Sequence, residues 1–504
     1  MKRVMLVNFY SPKSLGLRYL EKALTDAGFD VTVLYFKGFH SMRPKKPTPS
    51  EIDHLISLMD KTGPLFVGFS VMSSLYLEAV EEVSRHVRGR SQAPLVWGGV
   101  YATMFPERCL KHCDYVIRGE GEGAVAELAA RLSEGQDPRD MENLAYTENG
   151  QAVINPVRPL VRQLDTLGLA HIGLPNKYFI DSDTLHHTDP ALGSYSYETS
   201  CSRGCPFVCS YCSTVGIKRI YRDNKHYLRF RSPAAVIEEL KAAKKRMKRL
   251  SLIHFWDEIF PEDPAWIDEF VALYKKEIGL PFEIWAHPLK TDAELIKKLR
   301  SAGLFQAVMG IQSGSPEVRK KAFHRVETQE QVMAAAKALA AARVPRVIYD
   351  FILRHPFETV EQLKETYELC DALPGRFTLQ LHDLNFLPGT DIAAEALKRG
   401  FFTPEQLDAV MYAPMERQYA TWWKSDDNDD PEVNFWYHLI YMTQFPSLRK
   451  KARKLSRAWG TPAAQAAFGA AAKCYLRGKR LAELRRYRQK GLAVVSGAVK
   501  RLFS

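Results

Sequence analysis

Cysteine is scarce in this chain: there are eight among 504 residues, and four of the eight fall between positions 201 and 212. So small and clustered a set excludes a disulfide framework. Long apolar runs are missing too, since no stretch of eighteen occurs, and no bilayer-spanning helix is expected. Met1-Lys2-Arg3 leads into a short apolar run, Val4 to Val7, that ends at Asn8 and is too brief for a secretory signal. A reducing cytoplasm is the expected location. Acidic residues are nearly absent from the C-terminal end. Between Tyr441 and Ser504, Glu483 stands alone beside 16 Lys and Arg, while the rest of the chain holds 54 basic and 57 acidic residues. The net charge of +12 is therefore C-terminal in origin. Clusters such as Arg449-Lys450-Lys451 and Arg485-Arg486-Tyr487-Arg488 recur among Leu, Ala, Trp and Phe. That pattern suits a basic amphipathic helix docking peripherally at the inner membrane face, or equally a solvated helical tail. Nucleic-acid binding is not expected, because no recognition motif accompanies the charge.

The apolar share of 46% and charged share of 25% are those of a folded protein, and the length implies about three domains. Residues 201–213 read Cys-Ser-Arg-Gly-Cys-Pro-Phe-Val-Cys-Ser-Tyr-Cys-Ser, which sets Cys205, Cys209 and Cys212 in a C-x3-C-x2-C spacing. A cubane [4Fe–4S] cluster ordinarily takes four thiolates, so three from one loop leave one iron open to a small molecule. Structural zinc is the competing reading, but it is usually held by paired knuckles, and no second knuckle exists. Cys201, Cys205 and Cys209 form an alternative C-x3-C-x3-C triad within the same loop.

The first 150 residues alternate β-rich runs with helical patterns, the runs being Arg3 to Asn8, Val31 to Phe36, Leu65 to Val71, Pro94 to Val100 and Tyr115 to Arg118. Such alternation predicts a doubly wound, Rossmann-like parallel sheet, with ligands beyond the strand carboxyl ends. Glycine admits close approach of backbone to a ligand, as in Gly98-Gly99-Val100-Tyr101-Ala102-Thr103 and Arg118-Gly119-Glu120-Gly121-Glu122. Residues 151–190 lack periodicity and read as a linker. From 191 to 395, six further runs alternate with amphipathic helices: Ser194 to Glu198, Leu252 to Trp256, Phe282 to Ala286, Gln306 to Gln312, Arg346 to Leu353 and Thr378 to Leu387. They predict six β/α units with an active site at the strand carboxyl ends. Residues 396–504 read as a helical, basic domain. It contains an acidic stretch, Asp426-Asp427-Asn428-Asp429-Asp430, that suits a cation site or, more commonly, a solvated loop.

The phrase Ser202-Arg203-Gly204-Cys205-Pro206-Phe207-Val208-Cys209-Ser210-Tyr211-Cys212 resembles the cluster loop of the radical S-adenosylmethionine (SAM) enzymes, with Tyr211 as the aromatic residue before the last cysteine. The resemblance aligns on the later three cysteines, makes Cys201 a bystander, and implies that the six β/α units form a partial (β/α)6 barrel. His254-Phe255-Trp256-Asp257-Glu258 resembles the family's acidic motif, which implies that Asp257 or Glu258 meets the SAM amino group. Gly310-Ile311-Gln312-Ser313-Gly314-Ser315 resembles its fourth-strand phrase, which implies contacts of Gln312 and Ser313 with SAM, and Arg325 aligns with an arginine that pairs with the SAM carboxylate.

The two glycine phrases ahead of that loop resemble the N-terminal domain of the B12-dependent members. The implied cobalamin contacts are Ser70, Gly98, Gly99, Tyr101, Thr103, Gly119 and Glu120, with Tyr101 standing where the family usually has histidine. No Asp-x-His-x-x-Gly motif follows the first strand, so no histidine from it serves as a lower cobalt ligand.

The resemblance implies reductive cleavage of SAM to a 5′-deoxyadenosyl radical and methylation of an unactivated carbon through methylcobalamin, with a flavodoxin- or ferredoxin-type electron donor. Cyclisation or rearrangement with the same cofactors is the alternative, and an iron–sulfur redox sensor is the alternative of another class. The two cysteines before Cys201, Cys109 and Cys113, are too few for the second cluster of a methylthiotransferase. The C-terminal helices are expected to cap the barrel, and their charge hints at a lipid-like or membrane-associated substrate.

Overall fold

The computed structural model describes residues 2–39, 44–221, 225–423 and 430–502, with no side chain described at 421–423 or 485–502. Among the described residues, nine strands form the first sheet: β1 (Arg3–Phe9), β2 (Asp30–Phe36), β3 (Val67–Ser70), β4 (Leu95–Gly98), β5 (Tyr115–Ile117), β6 (Leu144–Glu148), β7 (Gln151–Ile154), β8 (Lys177–Asp181) and β9 (Thr184–His186). Their order is β7-β6-β5-β4-β3-β1-β2-β8-β9. The five predicted strands lie at its centre, all parallel. Residues Val4 to Phe9 are buried without interruption, as expected of a strand covered by helices on both faces.

The segment 151–190 is not a linker. It supplies β8, which pairs in parallel with β2, and the hairpin strand β9. Periodicity missed it because β8 is five residues long and opens on a lysine. Lys177 is fully buried, and its Nζ lies 2.6 Å from both carboxylate oxygens of Glu21, itself fully buried on the helix Leu15–Asp26. Removing one partner of such a pair leaves an uncompensated charge in the interior. Lys177→Met is expected to destabilise the fold by about 3–5 kcal/mol, and a Glu21→Leu/Lys177→Met double replacement to recover most of it. Urea unfolding of the two variants checks this.

The second sheet has six parallel strands in the order β10 (Ser196–Thr199), β13 (Leu252–Phe255), β14 (Phe282–Ala286), β15 (Leu304–Gln312), β16 (Arg346–Leu353) and β17 (Thr378–Asp383). Between β10 and β13 a short antiparallel ribbon forms from β11 (Ser202–Arg203) and β12 (Arg229–Phe230). Each predicted strand of the partial barrel is present. The outer faces of β13 to β17 join the surrounding helices in one apolar core. Its helices start on strong caps, Thr328 with Gln331 and Thr359 with Gln362 each forming a reciprocal capping box.

The C-terminal region divides: Pro404–Met411 packs with Phe323, Phe357 and Phe386 beyond the ends of β15 to β17, whereas the helices from Pro431 onward pack on the outside of the barrel. Pro431–Met442 packs its Phe435, Trp436, Leu439 and Ile440 into the outer core beside β17, where Gln444 accepts a hydrogen bond from the Leu379 amide. A bare edge strand exposes unpaired amides, and these helices cover that edge. Arg449 bonds Asp371 and the carbonyls of Cys370 and Leu373, and Arg453 pairs with Asp371. Part of the basic run is thus used to fasten the helix Pro446–Ser456 to the barrel. Residues 426–429 of the acidic stretch, and the side chains of Arg485 to Arg488, lie outside the described residues. Among the described residues no helix is long and apolar enough to cross a membrane.

Candidate active site at the domain junction

The carboxyl ends of the first sheet face the cysteine loop across a cleft of about 460 Å³. One wall is Ser70, Gly98, Gly99, Thr103, Gly119 and Glu120, and the other includes Ser202, Arg203, Gly204, Tyr221, Tyr227, Trp256 and Glu258. Glycine is required at two of these positions for steric reasons. Gly99 has φ +100° and a Cβ there would lie 2.8 Å from the Val71 carbonyl oxygen; Gly119 has φ +74° and a Cβ would meet the Tyr221 hydroxyl at 2.6 Å. Thr103 accepts from the Gly119 amide at 2.9 Å and so joins the two glycine loops.

Tyr101 does not reach this cleft. On the helix Val100–Met104, residues three apart share a face, so Val100 and Thr103 look into the cleft while Tyr101 points the other way. It lies with Trp97, His112 and Tyr412 in a separate cavity of about 340 Å³. Glu120 lines the cleft but is held by protein partners. Burial works against its charge, yet the Arg229 and Arg203 guanidinium groups hold its carboxyl below the usual carboxylate range. Among the described lining residues there is no histidine.

The cysteine loop follows the ribbon strand β11. Cys205, Cys209 and Cys212 are half-buried and unbridged, whereas Cys201 is fully buried in the barrel core, where burial pushes its thiol well above the usual range. Burial also pushes Cys205 up to about 12, so iron must displace its proton on binding. Among the described residues no three His, Cys, Asp or Glu side chains close on a single ion. The loop is pinned from below. Ser210 donates to the Phe323 carbonyl (3.1 Å) and its carbonyl accepts from Ile392 (2.9 Å), Phe207 stacks on His287 at 3.9 Å, and Tyr211 packs edge-on against Phe323.

Several residues expected to touch SAM are engaged with protein partners. Asp257 is buried, accepts from the Cys201 amide (2.8 Å) and the Ser202 hydroxyl (2.5 Å), and burial pushes its carboxyl up to about 6. Of the acidic pair, Glu258 is the one that opens to the cleft. Ser313 is fully buried; its hydroxyl accepts from the Ser315 amide and its carbonyl from Arg319. Arg325 donates to Glu327 (2.5 Å), to the Gly310 carbonyl (2.7 Å) and to the Tyr211 hydroxyl (3.2 Å), so it braces the cysteine loop from behind. Gln312 ends β15 at a register shift with φ +71°, an uncommon conformation for a side-chain residue, and its amide nitrogen sits 2.5 Å from where a Cβ on Gly310 would be.

The barrel interior adds one titratable group of consequence. Asp350 on β16 is buried, and burial pushes its carboxyl up to about 7, while His382, 4.0 Å away, is held down to about 4, again by burial. A carboxyl raised on folding stabilises the fold fully below its unfolded pKa and loses that contribution as pH rises to the folded value. Asp350's own contribution is therefore expected to be lost between about pH 4 and pH 7, while the depressed His382 acts in the opposite sense, so Asp350→Asn is expected to gain stability relative to wild type as pH rises through that window. Urea midpoints at pH 5 and 8 test the sign.

Two sequence profiles match the chain in the order of its two sheets: the B12 binding domain over residues 3–129 and the Radical SAM superfamily over residues 199–370. The chain joins a B12-binding domain to a radical SAM domain, as B12-dependent radical SAM enzymes do. Its cofactors are a [4Fe–4S] cluster, SAM and cobalamin, and the residues fit them: three unbridged thiols in one loop, and a glycine-walled cleft that side chains would fill. This radical SAM enzyme is 26% identical over 63% of its length to an uncharacterized methyltransferase, PH0819, of Pyrococcus horikoshii, and 24% identical over 55% to an anaerobic magnesium-protoporphyrin IX monomethyl ester cyclase of Rubrivivax gelatinosus. The matched segments span 66% and 48% of those proteins. In fold it is similar to the radical SAM methyltransferase TsrM of Kitasatospora setae with cobalamin and [4Fe-4S] cluster bound (TM-score 0.60, 19% identity, 79% of this chain and 75% of that one). It is likewise similar to the cobalamin-dependent radical enzyme OxsB with aqua-cobalamin bound (TM-score 0.63, 17% identity, 91% and 71%).

Residues that sequence reasoning passed over as site members are Arg203, Tyr221, Tyr227, Arg229 and Trp256. Four of them lie on or beside a ribbon of two-residue strands, too short for any period to show. The only signal was the density of Tyr and Arg between 219 and 231.

Proposed function

We propose that this protein is a methyltransferase that cleaves SAM reductively and places a methyl group on an unactivated carbon of a small-molecule substrate. When bound, the cofactors supply one-electron cleavage of SAM to a 5′-deoxyadenosyl radical and a cobalt-borne methyl group. The chain's own part is orientation and exclusion of water, since no side-chain acid or base reaches so weak an acid as a saturated C–H bond. The observation that carries the reading is the single cleft walled on one side by the glycine loops and on the other by Gly204 and Glu258, next to the cysteine loop. Cys205, Cys209 and Cys212 hold the cluster, Glu258 meets the SAM amino group, and Thr103, Gly98, Gly99 and Gly119 shape the cobalamin bed. Among the described lining residues no histidine would be at hand to hold a bound cobalt.

The electron comes from a flavodoxin- or ferredoxin-type donor. The C-terminal helix Ala464–Leu502, rich in Lys and Arg, provides peripheral membrane contact and favours a lipid-like substrate. Cyclisation with the same cofactors is the second reading, favoured by the likeness to the cyclase relatives. Anaerobically reconstituted protein supplied with SAM labelled at its methyl group distinguishes them: label is expected in the product of a methyltransferase. Label confined to methionine, with 5′-deoxyadenosine still released, overturns methylation and leaves cyclisation; no 5′-deoxyadenosine at all overturns both.

A further inference from the structure

The two halves of the cleft are joined by charge. On the ribbon next to the cysteine loop, Arg203 and Arg229 stand directly opposite each other in register, an arrangement that like charges disfavour. Glu120, from the glycine loop of the first sheet, enters between them. Its carboxylate is 3.3 Å from Arg203 Nη1 and 2.9 Å from Arg229 Nη2, and Glu122 takes the other arm of Arg203 at 2.6 Å. The remaining capacity of this knot is used locally. Glu120 also accepts from the Val161 amide (2.9 Å), and Arg229 donates to the Val161 carbonyl (2.8 Å) and to the Tyr227 carbonyl (3.2 Å). The Glu120 amide in turn donates to the Tyr221 hydroxyl at 2.9 Å. The arginine and glutamate side chains are all a quarter exposed or less, Arg229 at 6% and Glu122 at 10%.

Two features make this more than an ordinary domain contact. Arg203 lies two residues before Cys205, with only Gly204 between, and the Gly204 Cβ position falls on the Tyr227 backbone, so a displacement of Arg203 passes directly to the first cluster ligand. Glu120 follows Gly119, whose close approach to the Tyr221 hydroxyl shapes the cobalamin side of the cleft. One carboxylate therefore contacts both loops at the points where each turns toward its cofactor.

We propose that Glu120, by gripping Arg203 and Arg229, is a positioning residue that sets the distance and orientation of the cluster loop relative to the cobalamin bed. Uncharged at this position, the chain keeps two buried guanidinium groups in opposed register with only Glu122 to offset them, and the ribbon and its cysteine loop move away from the first domain. Buried charge pairs specify geometry when each member is satisfied, and they tolerate the loss of one member poorly.

This rests on the reading above that both cofactors are held. The test is a dipolar electron-spin measurement of the distance between the reduced cluster and cob(II)alamin in the anaerobically reconstituted full-length holoenzyme. Wild type is expected to give one narrow distance. Glu120→Gln, carrying both cofactors at wild-type stoichiometry and with an unaltered cluster signal, is expected to lose that single narrow distance to a broader or split distribution. Arg203→Lys, which keeps the charge but cannot bridge Glu120 and Glu122 with a rigid fork, is expected to do the same and serves if Glu120→Gln does not fold. A narrow, unshifted distance in a folded variant overturns the proposal. Wild-type protein that takes up cluster but no cobalamin, or neither, overturns the functional reading and this proposal with it.

Discussion

Alanine at Cys205, Cys209 or Cys212 is expected to take iron from about four atoms per chain to near none and SAM cleavage to background, because a cubane held by three thiolates has no spare protein ligand. Alanine at Cys201 is expected to leave both intact. That contrast is the informative part, since Cys201 is only four residues from Cys205 and shares its loop. Cys201 is enclosed among Tyr197, Leu240 and Phe255 in the barrel core, its thiol held protonated by burial, and its amide anchored on Asp257. Its removal costs packing only, about 1–2 kcal/mol. Iron and sulfide analysis with 5′-deoxyadenosine release, measured on all four single variants, decides between the two triads. Iron lost with Cys201 and kept without Cys212 would reverse the assignment.

Gly204→Ala is expected to be nearly as severe although it removes no ligand. The backbone there has φ +94°, and a Cβ would fall on the Tyr227 carbonyl. Neither neighbour is a flexible side-chain end. The left-handed conformation costs about 1–2 kcal/mol for a residue with a Cβ, and overpacking against fixed backbone adds about 1–3 kcal/mol. The chain relieves this by shifting the loop, so cluster occupancy falls together with the unfolding midpoint. Gly469→Ala, where no atom lies within 4 Å of the added carbon, is the control and is expected to be neutral or stabilising by about 0.5–1 kcal/mol. Equal iron content in the two variants would show that Gly204 is not needed for the loop's path.

The likeness to methyltransferase and cyclase relatives is at 24–26% identity. The fold neighbours are less alike in sequence, so they bear on architecture. Three local features of this chain are Tyr101 turned out of the cleft, the left-handed Gln312, and Arg354 just beyond β16, paired with Asp383 at 2.7 Å and stacked over Tyr437 at 4.2 Å. That last contact ties the strand end to the C-terminal helix Pro431–Met442.

Local pattern was enough for the five central strands of the first sheet, the six strands of the second and the cysteine loop. The strands of the partial barrel are continuous runs whose outward residues are apolar, and the three-cysteine spacing lies within thirteen consecutive residues, so neither depends on distant parts of the chain. The roles of single residues were not legible in the same way. Asp257 and Glu258 are adjacent and chemically alike, yet one is buried beneath Cys201 and the other opens to the cleft, because side chains one position apart point in different directions. Lys177 looked like part of a polar connector until Glu21, 156 residues away, was seen to accept its charge. Arg203, Glu120 and Arg229 come from three segments that no sequence window contains together, and only chain folding sets one carboxylate between two guanidinium groups. Sequence alone determined the central strands of both sheets and which atoms can ligate iron, since both are written in near neighbours. Tertiary structure decided which polar groups remain free to meet a ligand, because a hydrogen-bond partner is a matter of position in space.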